Sequence, residues 1–311
     1  MPHISVCVPV SRLDSANATI QSIIKQSFTD WELITVGQGD SDDPHVRKII
    51  DLVGSISRND PRVKYIHIEK PGACRAKNAA ILSAQGDIIA EIDDDAEAAL
   101  DWLETMVAYF SDHPDVDVVG GSVIKPFKKK RGLAVCPSVE PSEKIYDPAT
   151  MDRTPEGWNW ISCNLGLRRN VFEVIGYYDE YLGPGSVFPA ADDTDLMLRI
   201  EAAGIKMGST PRLVVNHTYG YRYGLNQFMK HQYNYSYGNG GLAAKQTLAG
   251  DPRGEEWYRY DRKMRLTSWL NPFRPDQFVR GMYGWRIFNA AYQRCMTDYQ
   301  VEDNLLVPAE R

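Results

Sequence analysis

Between Ile4 and Gly120 the chain alternates short apolar runs with longer stretches of helical period. Ile4 to Val10, Trp31 to Val36, Val63 to Ile68 and Val116 to Gly120 read as strands. Between them, Asn17 to Gln26 carries Ile20, Ile23 and Ile24 at helical spacing. Val46, Ile49, Ile50 and Val53 recur at i, i+3, i+4 and i+7. Gly72 to Ala84 and Trp102 to Phe110 continue the helical pattern. Strands and helices alternating at this rhythm call for a mostly parallel sheet with helical crossovers. The expected fold class is α/β, a doubly wound, Rossmann-like sheet with a C-terminal helical and aromatic extension. With 311 residues, 43% of them hydrophobic, the chain can bury one large core or two modest ones.

A further apolar run, Ile88, Ile89, Ala90 and Ile92, ends in three consecutive carboxylates, Asp93-Asp94-Asp95. Adjacent aspartates repel one another and are poor strand formers, so a counter-charge would offset their cost. Hard divalent cations such as Mn2+ or Mg2+ take oxygen ligands, and Mg2+ binds through one or two carboxylates plus substrate phosphates. Strand C-terminal ends are also where open α/β sheets bind ligands. The alternative is a solvated acidic turn before a helix capped by Asp101. A second acidic cluster, Asp192-Asp193-Thr194-Asp195, opens a helix with Leu196, Ile200 and Ala203 on one face and Gly204 at its end. Carboxylates in a first turn suit the helix dipole, but this cluster exceeds what capping needs. Leu213 to His217 reads as a short strand ending in histidine, which gains meaning only if the fold brings it near Asp95.

The net charge of -6 argues against a polyanion binder, so no nucleic-acid partner is expected. The five cysteines, Cys7, Cys74, Cys136, Cys163 and Cys295, are scattered and odd in number, which fits a reducing cytoplasm better than a disulfide framework. Met1 to Val10 has neither a basic start nor a cleavage site, and no apolar stretch is long enough for a transmembrane helix. The basic run at Lys125, Lys128, Lys129, Lys130 and Arg131 reads as a solvated loop or a contact with phosphates or an anionic membrane. Cys136 to Trp160, rich in Pro, Ser and charge, reads as a long loop. Basic and aromatic residues mix in Trp257 to Trp269 and Phe278 to Met296. Such faces suit a peripheral membrane contact and, as the preferred reading, helices packed with snorkelling cations.

These blocks, in this order, resemble the family 2 glycosyltransferases of GT-A fold. Ser5 to Val10 resembles that family's first strand, and Glu32 to Asp43 its second strand and nucleotide loop. Gly72-Ala73-Cys74-Arg75-Ala76-Lys77-Asn78 resembles its Gly…Ala-Arg-Asn helix. Asp93-Asp94-Asp95 falls on its Asp-x-Asp motif, with Asp-Trp-Leu-Glu behind it. Asn164 to Asp179 resembles its Asn-Leu-Gly-x-Arg-Arg segment, and Asp192 to Gly204 its acidic helix.

The resemblance implies a metal-dependent, inverting transfer of a sugar from a nucleotide-diphosphate donor, UDP by default, to a hydroxyl of a glycan or lipid-linked glycan. Asp93, Asp95 and His217 would hold the metal. Asp193 would be the general base, with Asp192 beside it. Donor contacts would come from Pro9, Val10, Ser11, Arg12, Gln38, Gly72, Arg75, Lys77, Asn78, Asp93 and Asp94. Acceptor contacts would come from Trp158, Trp160 and Asn164. Residues 1–218 would form the catalytic domain, with a donor half to about 121 and an acceptor half beyond it, and 219–311 the extension. The protein would be cytoplasmic, at most peripheral at the inner face of the membrane. Two departures stand out: Gly37-Gln38-Gly39-Asp40 replaces the family's Asp-Asp-Gly-Ser loop, and Lys77 replaces its Arg. Gln38 has donors and an acceptor for a base edge but no charge, which leaves GDP and dTDP open. The rivals are a nucleotidyltransferase, which leaves Asp192 to Gly204 unexplained, and a non-catalytic glycan- or nucleotide-binding protein of the same fold.

Overall fold

The computed structural model describes residues 3–125, 133–134, 138–158, 160–218, 221–222, 224–267 and 275–310. The first half follows the alternation: β1 (Ile4–Val10), α1 (Leu13–Ile24), β2 (Trp31–Gln38), α2 (Pro44–Asn59), β3 (Val63–Ile68), α3 (Ala73–Ser83) and β4 (Ile88–Glu91). Then come β5 (Ala96–Ala98), α4 (Trp102–Asp112), β6 (Val118–Ile124), β7 (Leu133–Ala134), β8 (Lys144–Tyr146), β9 (Leu165–Arg168) and α5 (Asn170–Ile175). The remainder is α6 (Asp192–Ala202), β10 (Met207–His217), β11 (Tyr221–Arg222), α7 (Leu225–Leu248), α8 (Pro252–Thr267), α9 (Pro275–Asp298), β12 (Tyr299–Glu302) and β13 (Leu305–Pro308).

The central sheet runs β3-β2-β1-β4-β9-β6-β10-β5, with β8 also on β10. Pairs β1–β2, β2–β3, β1–β4 and β6–β10 are parallel. Only β9, β5 and β8 run against their neighbours. The sheet is therefore mixed α/β and mostly parallel, as the alternation predicts. Ile4, Val6, Val8 and Val10 of β1 point into one core with Ile20 and Ile23 of α1 and Trp102 and Met106 of α4, all fully buried. The alternate residues of β1, Ser5, Cys7 and Pro9, are buried as well, which explains a run without polar alternation. Asp43 caps α2 by accepting from the His45 and Val46 amides, with Pro44 in its first turn.

One local reading changes. The sequence has regular structure resuming over Ser162 to Arg169, with a helix through Val174. That stretch forms a single 3-10 turn and then β9, and the helix starts only at Asn170. Pairing decides it, because Leu165 to Arg168 fills the gap between β4 and β6 with antiparallel ladders on both sides.

The chain divides into two compact units, and the boundary differs from the expected break at 218. The first unit is Met1–Pro71, Arg75–Tyr177 and Met197–Arg222. The second is Gly72–Cys74, Tyr178–Leu196 and Tyr223–Arg311. Tyr178–Leu196 joins the C-terminal helices because Lys245 of α7 ion-pairs with both Asp179 and Asp195. The expected donor and acceptor halves share one sheet, since β6, β9 and β10 extend the sheet begun by β1 to β4.

Within the second unit, Tyr258 of α8 lies against Trp285 and Tyr292 of α9 and donates its hydroxyl to Asn289 Oδ1 at 2.8 Å. Aromatic residues of the tail thus pack helix on helix, while Tyr235 and Tyr260 stay exposed. Among the described residues no helix is long and apolar enough to cross a membrane. The basic run lies outside the described residues except for Lys125.

Asn164, expected to touch the acceptor, instead holds the sheet together. It is fully buried. Its amide nitrogen donates to the carbonyls of Ser122 in β6 and Leu213 in β10, and its oxygen accepts from the Trp102 indole at 2.8 Å. No polar atom of the side chain remains for a sugar, so the assignment is corrected. Asn164→Ala leaves buried polar groups unsatisfied and is expected to cost about 2–4 kcal/mol of unfolding free energy in urea. A loss under about 0.5 kcal/mol, the scale of an ordinary surface substitution, would contradict this role.

Candidate functional site

In the first unit, the acidic strand end sits at the carboxyl edge of β4. Asp94 and Asp95 are almost fully buried, and Asp93 is half-buried. Asp94 Oδ2 accepts from the backbone amides of Ser11 and Arg12 at 2.6 and 2.7 Å. Its Oδ1 accepts from the Arg12 guanidinium at 2.6 Å. The corner after β1 is thereby bolted to the turn after β4. The same guanidinium lies 3.1 Å from Asp95 Oδ2. Burial opposes the charge on Arg12, but Asp95, Asp94 and Asp93 outweigh it and raise its pKa.

The condition set for His217 is met. β5 pairs antiparallel with β10, placing His217 opposite Ala96. His217 Nε2 comes within 3.6 Å of Asp95 Oδ1, and the Thr218 amide donates to the Asp95 carbonyl at 2.7 Å. Two ligand-type atoms, a carboxylate oxygen and an imidazole nitrogen, thus share one position, with Asp93 two residues away. Against these three carboxylates stands the Arg12 cation. Among the described residues no three His, Cys, Asp or Glu side chains already surround one point. A pair of protein ligands with an adjacent carboxylate nevertheless fits a hard divalent cation that completes its shell with phosphate oxygens and water.

The loop after β2 is shaped by residues that the sequence reading passed over. A methyl on Gly37 would lie 2.2 Å from the Tyr65 hydroxyl, so that position must be glycine for Tyr65 to pack. Gly39 has a φ of 109° and donates its amide to the Ile68 carbonyl. His67 Nε2 lies 2.9 Å from the Gly39 carbonyl, and His67 Nδ1 lies 3.1 Å from the Tyr65 hydroxyl. Tyr65 and His67 stand two apart on one strand and share a face. That spacing was the available signal. Gln38 sits half-buried at the end of β2 among them.

Several donor assignments change. Val10 lies fully buried in the core and Pro9 is buried in β1, so neither side chain is open to a ligand. Asp94 is a tie rather than a contact, as described. Lys77 is 3% exposed, donates to Ser162 Oγ at 2.9 Å and lies 3.5 Å from the buried Glu91 carboxylate. It neutralises a buried acid under the sheet. Asn78 is 8% exposed, whereas Ser11 is exposed and Arg12 and Arg75 are half-buried. Arg75 donates to the Pro71 carbonyl at 3.1 Å. Trp158 and Trp160 come together edge-to-face, centroids 6.2 Å apart, with Tyr146 beside Trp158. Trp160 rests on the bare backbone of Gly120. Both indole N–H groups are buried without a hydrogen-bond partner among the described residues.

In the second unit, Gly72 adopts a φ of 154°, and the neighbouring Ala73 amide donates to the Pro184 carbonyl. Asp192 and Asp193 open α6 half-buried, and the Thr194 amide donates to Asp193 Oδ1 at 2.9 Å. Asp195 is fully buried and lies 2.6 Å from Lys245 Nζ, which is 2.8 Å from Asp179. The Leu306 amide also donates to Asp179 at 2.8 Å. Burial, with the nearby Asp179 charge, pushes the Cys295 thiol up to about 12, so it stays an inert thiol. Lys245 escaped the sequence reading, although a lone cation after Gly240-Gly241-Leu242-Ala243-Ala244 is out of character for a solvated face.

Residues 5–176 match the family described as Glycosyl transferase family 2. The chain belongs to this family. It is 28% identical over 215 residues to a glucosyl-dolichyl phosphate glucuronosyltransferase of Haloferax volcanii, covering 67% of this chain and 66% of that protein. It is 31% identical over 121 residues to the glycosyltransferase GlyG of Streptococcus pneumoniae, covering 38% of each. The chain thus spans about two thirds or less of these relatives. Its fold is that of the GT-A transferases. S. aureus TarS in complex with UDP-GlcNAc matches with a TM-score of 0.57 at 15% identity, covering 99% of this chain and 97% of that one. A mannosyltransferase of Pyrobaculum calidifontis in complex with GDP-Man and Mn2+ matches with a TM-score of 0.57 at 15% identity, over 96% and 88%.

Lys77→Met in this family 2 chain leaves Glu91 buried without its cation. The expected loss is about 3–5 kcal/mol of stability by denaturant unfolding, with nucleotide affinity unchanged in the folded protein. Weakened nucleotide binding at unaltered stability would return Lys77 to the donor site.

Proposed function

We propose that the protein is a metal-dependent, inverting glycosyltransferase that moves a sugar from a nucleoside diphosphate to a hydroxyl of a glycan or lipid-linked glycan. The observation that carries this reading is the approach of His217 to Asp95 at the carboxyl edge of β4, in a family 2 chain. Asp95, His217 and Asp93 would hold Mn2+ or Mg2+, which supplies Lewis-acid neutralisation of the departing diphosphate.

Ser11, Arg12, Gln38 and Arg75 remain as donor contacts, with Gly72 contributing backbone. Gln38 would read the base edge, with UDP as the first choice of nucleotide. Asp193 would accept the acceptor hydroxyl's proton as the new glycosidic bond forms. One base acting opposite the leaving group gives a single displacement, hence inversion. The half-burial of Asp193 supports this role, because it leaves the carboxylate reachable and partly desolvated. Trp158 and Trp160, 9% and 5% exposed, are packed in the core and are not kept as acceptor contacts. The lipid-linked acceptor is supported by the dolichyl phosphate substrate named for the Haloferax relative. Such an acceptor would put the work of the protein at the cytoplasmic face of a membrane.

A thermal-shift panel of UDP, GDP, dTDP and CDP, with and without Mn2+, tests the donor site. One nucleotide is expected to raise the melting temperature only with metal, and Asp95→Ala should abolish that shift. No shift with any nucleotide would count against the donor site. Asp193→Asn should bind the nucleotide normally and lose about 10²- to 10⁴-fold in turnover; near-normal transfer would refute the base role.

A further inference from the structure

α7 turns one stripe toward the segment Tyr178–Leu196. Gly238, Gly241 and Lys245 follow one another at spacings of three and four, so they share a helix face. The two glycines let the backbones approach. A methyl on Gly238 would meet the Ala190 methyl at 2.6 Å, and one on Gly241 would meet the Phe188 ring at 2.4 Å. Phe188 stacks on Tyr237 with centroids 5.8 Å apart. Lys245 lies further along the same face and takes Asp195 at 2.6 Å and Asp179 at 2.8 Å, with all three side chains at most 2% exposed. Between the Phe188 contact and the Asp195 ion pair lies Ala191, a non-glycine residue at a φ of 72°. Such a conformation persists only where the surroundings over-determine it, and it clusters at functional sites. The next two residues are Asp192 and Asp193.

We propose that Lys245 is a positioning residue for Asp193: by holding Asp195 from inside, it fixes the first turn of α6 and so the carboxylate assigned to the acceptor proton. The inference rests on that assignment of Asp193. A helix's first turn is its least constrained part, because its leading amides lack intrahelical partners. Here it also carries three carboxylates that repel one another. Lys245 neutralises one of them where water cannot, and so resists fraying of the turn. The Thr194 amide can then keep its bond to Asp193 Oδ1. Displacing a reacting group by about 1 Å is enough to cost up to about a hundredfold in rate.

Lys245→Met keeps the length of the side chain and removes its charge. Turnover is expected to fall about ten- to a hundredfold, while donor KM and calorimetric nucleotide affinity stay within a factor of about two of native. A variant with Lys245→Met, Asp179→Asn and Asp195→Asn removes all three charges together and leaves no buried carboxylate uncompensated. It should fold even where the single variant does not, show the same loss of turnover, and exchange the amides of Asp192 to Asp195 faster than native. Native turnover in either folded variant would overturn the proposal. So would an equal fall in nucleotide affinity, the mark of general loosening. Asp193→Asn distinguishes the two readings. If that variant keeps turnover, the base assignment falls and the positioning role with it. If it is inactive while the Lys245→Met protein turns over normally, the positioning role falls alone.

Discussion

Asp94 joins two strands that are far apart in sequence. Both of its oxygens are taken, by two backbone amides at the end of β1 and by the Arg12 guanidinium. A side chain so engaged fixes the backbone on either side of it, and that backbone carries Asp93 and Asp95. The three-residue strand that follows then pairs with β10 in one register, and this register delivers His217 to Asp95. A slip by one residue would turn His217 to the opposite face of the sheet. The middle aspartate of the motif is thus the architectural one, and the outer two are those proposed for the metal.

The second unit solves a similar problem with charge instead of amides. Asp179 and Asp195 are both buried, and a buried carboxylate is costly unless it is paired. Lys245 serves both, and the Leu306 amide of β13 adds to Asp179. The C-terminal helices and the terminal hairpin are therefore part of the setting of the acidic helix rather than an appendage to it.

A strand whose side chains are buried on both faces announces itself, and β1 begins and ends where its apolar run does. Sheet order is a different matter. β9 is four residues long, and only its two antiparallel partners make it a strand. Motif position singled out Asp95, His217 and Asp193 for the roles proposed above. Motif position says nothing about burial, however. Val10, Lys77 and Asn164 occupy ligand-like positions but face into the protein, where each serves packing or buried polar groups. The pairing of Lys245 with Asp179 and Asp195 spans a long stretch of chain, so the local pattern around Lys245 could hint at a buried cation but not name its partners.

The ion triad also has an order in time. During synthesis Asp179 and Asp195 leave the ribosome well before Lys245, and the β13 segment follows later still. Until then the two carboxylates have no buried cation to accept them, so the segment from Tyr178 to Leu196 must stay hydrated while the sheet around β1 to β6 is already free to form. The cation that pairs with Asp195 therefore arrives only with α7, and a nascent chain halted before α7 would carry that carboxylate without its partner.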